Sequence, residues 1–96
     1  MALVNDYWNR GWTAFTEKNF EEALHWQERT AAQAEDVPNM LPEVLYDLAV
    51  IRLANEDRPG ALAALRRAVE LNPKLADQAL EDDDLAALGE DLDSLR

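Results

Sequence analysis

The chain has no cysteine, a single histidine and a single serine in its 96 residues. Without cysteine there is neither a disulfide framework nor a thiolate metal site. With His25 the only imidazole and Ser94 the only serine, close to the C-terminal end, no Ser/His/Asp set can be assembled. His25 stands beside Trp26 and reads as a surface or boundary residue. The expected answer is a non-enzyme with no cofactor.

Basic charge is also scarce. Nine Lys and Arg face twenty Asp and Glu, for a net −11. Residues 1–37 hold three basic and seven acidic groups (net −4), residues 38–75 five of each, and residues 76–96 one basic and eight acidic (net −7). Such a chain repels phosphate backbones, which argues against nucleic acid, and anionic membrane surfaces are disfavoured for the same reason. No apolar run approaches the roughly 18 residues of a membrane span. The opening MALVNDYWNR carries Asp6 and no basic region ahead of an apolar run, unlike a signal peptide. The default expectation is a cytoplasmic protein.

Acidity in a cluster invites a calcium reading. The run Glu81-Asp82-Asp83-Asp84, with Glu90, Asp91 and Asp93 beyond it, lacks the D-x-[DN]-x-[DN]-G-x5-E order of an EF-hand loop. Asp82 or Asp83 is more simply the cap of a short helix containing Leu85 and Leu88, so no metal is expected. Arg66-Arg67, a lone basic pair, is expected to pair with Glu70 along its own helix.

What is present is helix. Ala, Leu, Glu and Arg dominate, and no alternating β-branched stretch occurs. Asn19 with Glu22 three residues later makes a capping-box start. Asp57 ahead of Arg58-Pro59, and Asn72-Pro73, are further starts, and Pro38 and Pro42 bracket another boundary. These signals predict helices over about 4–17, 20–36, 42–55, 58–71 and 74–82, with one or two short helical turns beyond. The links within each helix pair are so short that neighbours must run antiparallel, and no linker divides the chain into domains.

The two helix pairs repeat. Asn19 precedes Ala23 by four and Asp57 precedes Ala61 by four; Gly11 precedes Ala23 by twelve and Ala49 precedes Ala61 by twelve. The spacing between units is 38, in the range of helical solenoids. Residues 42–75 read Leu45-x2-Leu48-Ala49-x2-Arg52, then Ala61-x3-Leu65-x2-Ala68-x4-Pro73. In this they resemble the tetratricopeptide repeat (TPR), which keeps small residues where two helices cross closely. Arg52 stands where that pattern usually has Tyr. Residues 4–37 resemble a degenerate first repeat in which Tyr7, Gly11 and Ala23 match while Arg10, Gln27 and Thr30 depart. Four extra residues, 38–41, imply that the second helix runs one turn longer. The segment Asn72-Pro73-x-Leu75…Ala79…Asp84-Leu85-x2-Leu88 is similar to tails that close bacterial arrays of this repeat. The resemblance implies an all-α domain: a right-handed stack of two antiparallel pairs, about 4–37 and 42–75, closed by capping helices at about 76–96.

Aromatics are few, yet four of the seven, Tyr7, Trp8, Trp12 and Phe15, fall within residues 7–15. Tyr7, Gly11 and Ala14 share one helical stripe, turned inward by the crossing at Gly11. Trp8, Trp12 and Phe15 form another, about 100° away. By the resemblance this second stripe lines the concave groove, with Tyr46, Val50 and Leu53 at the matching places of the second unit and Arg52 or Arg10 giving charge at the edge. At roughly 150–250 Å² each, three bare aromatics would expose about 450–750 Å², as much as the largest patch of a typical monomer, about 300–600 Å². Either residues 74–96 fold over the stripe, or the groove receives an apolar partner segment, or two chains meet there. The carboxylate-gripping Lys and Asn of many tetratricopeptide proteins are replaced here by Trp8, Trp12, Tyr46 and Val50, so an apolar ligand is expected. The leading reading is a protein-interaction module or scaffold. The alternatives are an accessory subunit or homodimer with a permanent aromatic interface and, third, a carboxylate metalloenzyme. Calorimetry with Ca²⁺, Mg²⁺ and Mn²⁺ is expected to show no tight stoichiometric site, and finding one would overturn the non-enzyme expectation.

Overall fold

The computed structural model describes the backbone of residues 3–95 and the side-chain surroundings of residues 8–89, 91 and 92. Tyr7, Glu90, Asp93 and Ser94, named above, lie outside the described side chains. The described chain is all-α. It comprises α1 (Leu3–Thr16), α2 (Phe20–Ala34), α3 (Leu41–Ala54), α4 (Arg58–Leu71), α5 (Lys74–Glu81) and a terminal 3-10 segment (Asp83–Leu95) broken at Gly89, where φ is 54°. No described helix is long and apolar enough to cross a membrane.

The starts follow the expected chemistry. Asn19 accepts from the Glu22 amide at the head of α2, and its side-chain amide donates to Glu22 at 2.9 Å. Asp57 accepts from the Gly60 amide at 3.0 Å at the head of α4. Both satisfy a donor that the first helical turn leaves open. The stops match as well, 38 residues apart. Lys18 (φ 62°) and Glu56 (φ 64°) both adopt the left-handed conformation. Asn19 N donates to Ala14 O and Lys18 N to Phe15 O; Asp57 N donates to Arg52 O and Glu56 N to Leu53 O. These are two copies of one Schellman turn, each with a non-glycine residue where glycine is usual.

One boundary differs from expectation. α2 ends at Ala34, not a turn later. The extra residues form two tight turns instead, with Val37 N on Ala34 O and Met40 N on Val37 O. Pro38 explains this, because the residue before a proline is pushed out of helical geometry.

α1 packs on α2 and α3 on α4, while α2 and α3 join the pairs. At the first crossing, a Cβ on Gly11 would come within 3.2 Å of Gln27 Oε1 and 3.5 Å of the Ala23 carbonyl oxygen. Ala23, Ala49 and Ala61 are fully buried. α3 carries most of the core: Leu41, Val44, Leu45, Tyr46, Leu48, Ala49, Val50 and Ile51 are all buried. A helix apolar on every face must be covered on every face. α2 and α4 cover part of it. Leu75, Ala76 and Ala79 of α5, with Leu85, Leu88 and Leu92 of the 3-10 segment, join the same cluster.

Polar ties fix these placements. Gln27 Nε2 donates to Val44 O at 3.2 Å, and Asn55 Nδ2 donates to Phe20 O at 2.8 Å. Arg58, at the head of α4, donates to the carbonyls of Ala87 (2.8 Å) and Leu88 (2.9 Å) and pairs with Asp91. It thereby holds the terminal segment by its carbonyls. Arg67 feels the charge of Glu70 on its own helix and also grips Glu35, just past the end of α2, with two bonds of 2.7 Å. A planar guanidinium matches a carboxylate on the neighbouring element bidentately, a geometry that sequence spacing does not reveal. The pair lowers the Glu35 pKa and raises that of Arg67.

The substitution Gly11→Leu should separate α1 from α2. Overpacking of this kind costs about 1–3 kcal/mol. Urea denaturation should show the midpoint fall with an unchanged slope, and a variant as stable as the parent would show that the crossing is not tight.

Candidate partner-binding cleft

The helix spacing of α1 sets Trp8, Trp12 and Phe15 in a row, and all three are half-buried. Trp12 meets Phe15 edge-to-face at 5.2 Å, and Phe15 meets Phe20 at 5.4 Å. Trp8 and Phe15 rest against the core cluster built around α3. The Trp8 indole is therefore not wedged between α1 and α2; it reaches across to the second pair.

What it reaches for is Asp47. Trp8 Nε1 donates to Asp47 Oδ2 at 2.8 Å, and the nearby Trp12 indole helps to lower the pKa of this carboxylate. Beside it, the Tyr46 hydroxyl donates to Asp82 Oδ2 at 2.6 Å, which ties α3 to the end of α5. Asp82 also accepts from the Asp84 amide at 2.9 Å and so opens the 3-10 segment as expected. Trp8, Glu43, Tyr46, Asp47, Leu75 and Gln78 surround a cleft of about 180 Å³ where α1, α3 and α5 meet.

The predicted groove residues are thus divided. Tyr46 and Val50 are buried, 4% exposed each, within the cluster that contains the C-terminal leucines. The C-terminal segment shares this cluster and is tied to Tyr46 through Asp82. Leu53 is half-buried against the same cluster. Arg52 points away, donating to Gly60 O at 3.2 Å and approaching Glu28 at 3.6 Å. It lines a separate, shallow depression of about 390 Å³ with Glu28, Glu35, Leu45, Leu48 and Arg67. Arg10 lies over the Trp26 ring, 5.0 Å from its centroid, against α2. His25 is exposed, its ring 5.1 Å from that of Trp26.

Sequence reasoning passed over Glu43, Asp47 and Gln78 as groups of this cleft and Asp82 as the partner of Tyr46. A signal was available for two of them. Glu43 and Asp47 stand four apart on the most apolar helix of the chain, where a charge has little reason to be. For Asp82 and Gln78 there was none, because only the fold of α5 brings them to Tyr46.

The electrostatics are unusual for so acidic a surface. Burial raises the Asp47 pKa from 3.8 to about 6; the indoles of Trp8 and Trp12 oppose the rise, and the charges of Glu43 and Asp82 add to it. Burial pushes the Tyr46 phenol upward too, followed by its bond to the Asp82 carboxylate. Among the described residues no three His, Asp or Glu side chains converge as metal ligands would. No known protein family, curated protein or solved structure matches the chain. The cleft must be interpreted by its own chemistry: aromatic walls, an acidic floor, and indole and phenol donors already turned onto acids.

A raised carboxyl pKa means that ionised Asp47 opposes folding. The penalty is absent below the unfolded value near 3.8, grows as pH rises, and is complete above about 6. Asp47→Asn should therefore gain stability relative to the parent as pH rises from 4 to 7, by on the order of 1–3 kcal/mol. Urea titrations at several pH values test this, and a difference independent of pH would show that the carboxylate is not penalised.

Proposed function

We propose that this chain is a non-catalytic interaction module of tetratricopeptide-like build. In this reading two antiparallel helix pairs stack right-handedly, and α5 with the 3-10 segment caps them. The identical turns 38 residues apart and the small-residue crossings at Gly11–Ala23 and Ala49–Ala61 support it. The module holds a short segment of a partner polypeptide against the aromatic row of α1, and a cytoplasmic setting goes with this reading.

The carrying observation is that Trp8, Trp12 and Phe15 remain only partly buried although the C-terminal segment shares a core cluster with α3. Tyr46 and Val50 are buried in that cluster, whereas the aromatic row of α1 is not fully covered. Aromatic side chains supply large contact area at low entropic cost and are enriched where proteins bind one another. The hydrogen bond from Trp8 to Asp47 and the edge-to-face contact of Trp12 with Phe15 hold the rings in place before any ligand arrives, which lowers the ordering cost of binding.

The same row suits a permanent interface between two copies, the second reading. Sedimentation separates them: a dimer that persists at low micromolar concentration and dissociates in Trp12→Ala favours the homodimer. For the interaction module, a peptide-display library panned against the monomer should enrich sequences with apolar anchors. Their affinity should fall about tenfold or more in Trp12→Ala, as for an aromatic hot spot. A library that yields no binder, or binders indifferent to that substitution in a chain of unchanged circular dichroism, would remove the proposal.

A further inference from the structure

We infer that the cleft between α1, α3 and α5 receives one basic side chain, Lys or Arg, of the bound partner. This deepens the interaction-module reading and rests on it. The size of the cleft comes first. At about 180 Å³ it is well below the roughly 300–1,000 Å³ of sites for drug-sized ligands. It fits one side chain and not a whole metabolite.

Its lining chooses the charge. Glu43 and Asp47 stand at the cleft and Asp82 sits behind Tyr46, while none of the six lining residues is basic. The donors of Trp8 and Tyr46 point at Asp47 and Asp82, so an anion would meet carboxylates and no free N–H or O–H from those rings. Each carboxylate has about four acceptor sites, and the indole and phenol donors leave some of them open. The aromatic lining is the second attraction: the partly buried indole of Trp8 gives an ammonium or guanidinium a π-system to rest beside. Among the described residues no three ligands converge on a point, which disfavours a bare metal ion. The arrangement suits a cation whose charge is spread over a guanidinium or carried on a flexible stem.

The energetics of the free protein point the same way. Asp47 is a half-buried acid close to two others, on a helix that is otherwise apolar, and its charge is disfavoured there. A cation seated between the acids cancels their mutual repulsion, so the cleft is complementary to its ligand and frustrated without it. At long range the net charge of −11 draws basic segments to the surface.

The test follows the Trp8 and Trp12 indole N–H signals by NMR in the full chain. N-acetyl-arginine amide and N-acetyl-lysine amide are the probes, and N-acetyl-norleucine amide is the uncharged control. Saturable shifts with either basic amide, at least about tenfold weaker with norleucine, are expected from a charged hydrogen bond. Asp47→Asn and, separately, the surface variant Glu43→Gln should weaken the basic amides while circular dichroism stays the same. Equal shifts with norleucine, or basic-amide binding untouched in both variants, would overturn the inference. Failure here is distinct from failure of the module: library peptides that bind equally well with their basic residues replaced by norleucine sink this inference and leave the interaction reading intact.

Discussion

α3 has apolar side chains on every face, and the rest of the molecule is arranged to keep water off it. Val44 and Ile51 are fully buried. α2 and α4 cannot enclose the helix between them, so α5 and the 3-10 segment add Leu75, Ala76, Ala79, Leu85, Leu88 and Leu92 to the same cluster. The acidic C-terminal fifth is therefore an integral wall of the core, with these leucines turned inward. Arg58 secures the wall by donating to two of its carbonyls, those of Ala87 and Leu88.

Set into that apolar helix is Asp47. Its position on α3 ties the first helix pair to the second through Trp8, so one residue both joins the two halves and carries an unfavourable charge. The Trp8 and Trp12 indoles reduce the penalty without removing it. Groups kept at a cost to stability are where function is to be sought, and here the group lines the cleft where three helices meet beside the partly buried ring of Trp8.

Much of the frame was legible. Asn19 and Asp57 announce helix starts because their short side chains can reach an orphan amide, a purely local effect. The spacing of 38 is matched in three dimensions by the paired left-handed residues Lys18 and Glu56. The contents of the cleft were less legible. Tyr46 and Val50 share a helical face with the expected groove, yet both are buried in the cluster that the chain from α5 onward joins. Arg52 and Arg67 found partners on neighbouring elements, at Glu28 and Glu35. Pairing along one helix is all that sequence spacing can test.

Composition and periodicity alone determined that this protein is helical, acidic and without thiol chemistry. Those properties follow from local backbone preference and from which residues are available at all. The tertiary structure decided which aromatics stay accessible, which acid they hold, and where each arginine points. Such outcomes depend on contacts between residues far apart in the chain, and these are set by how the helices cover α3 rather than by any pattern within one helix.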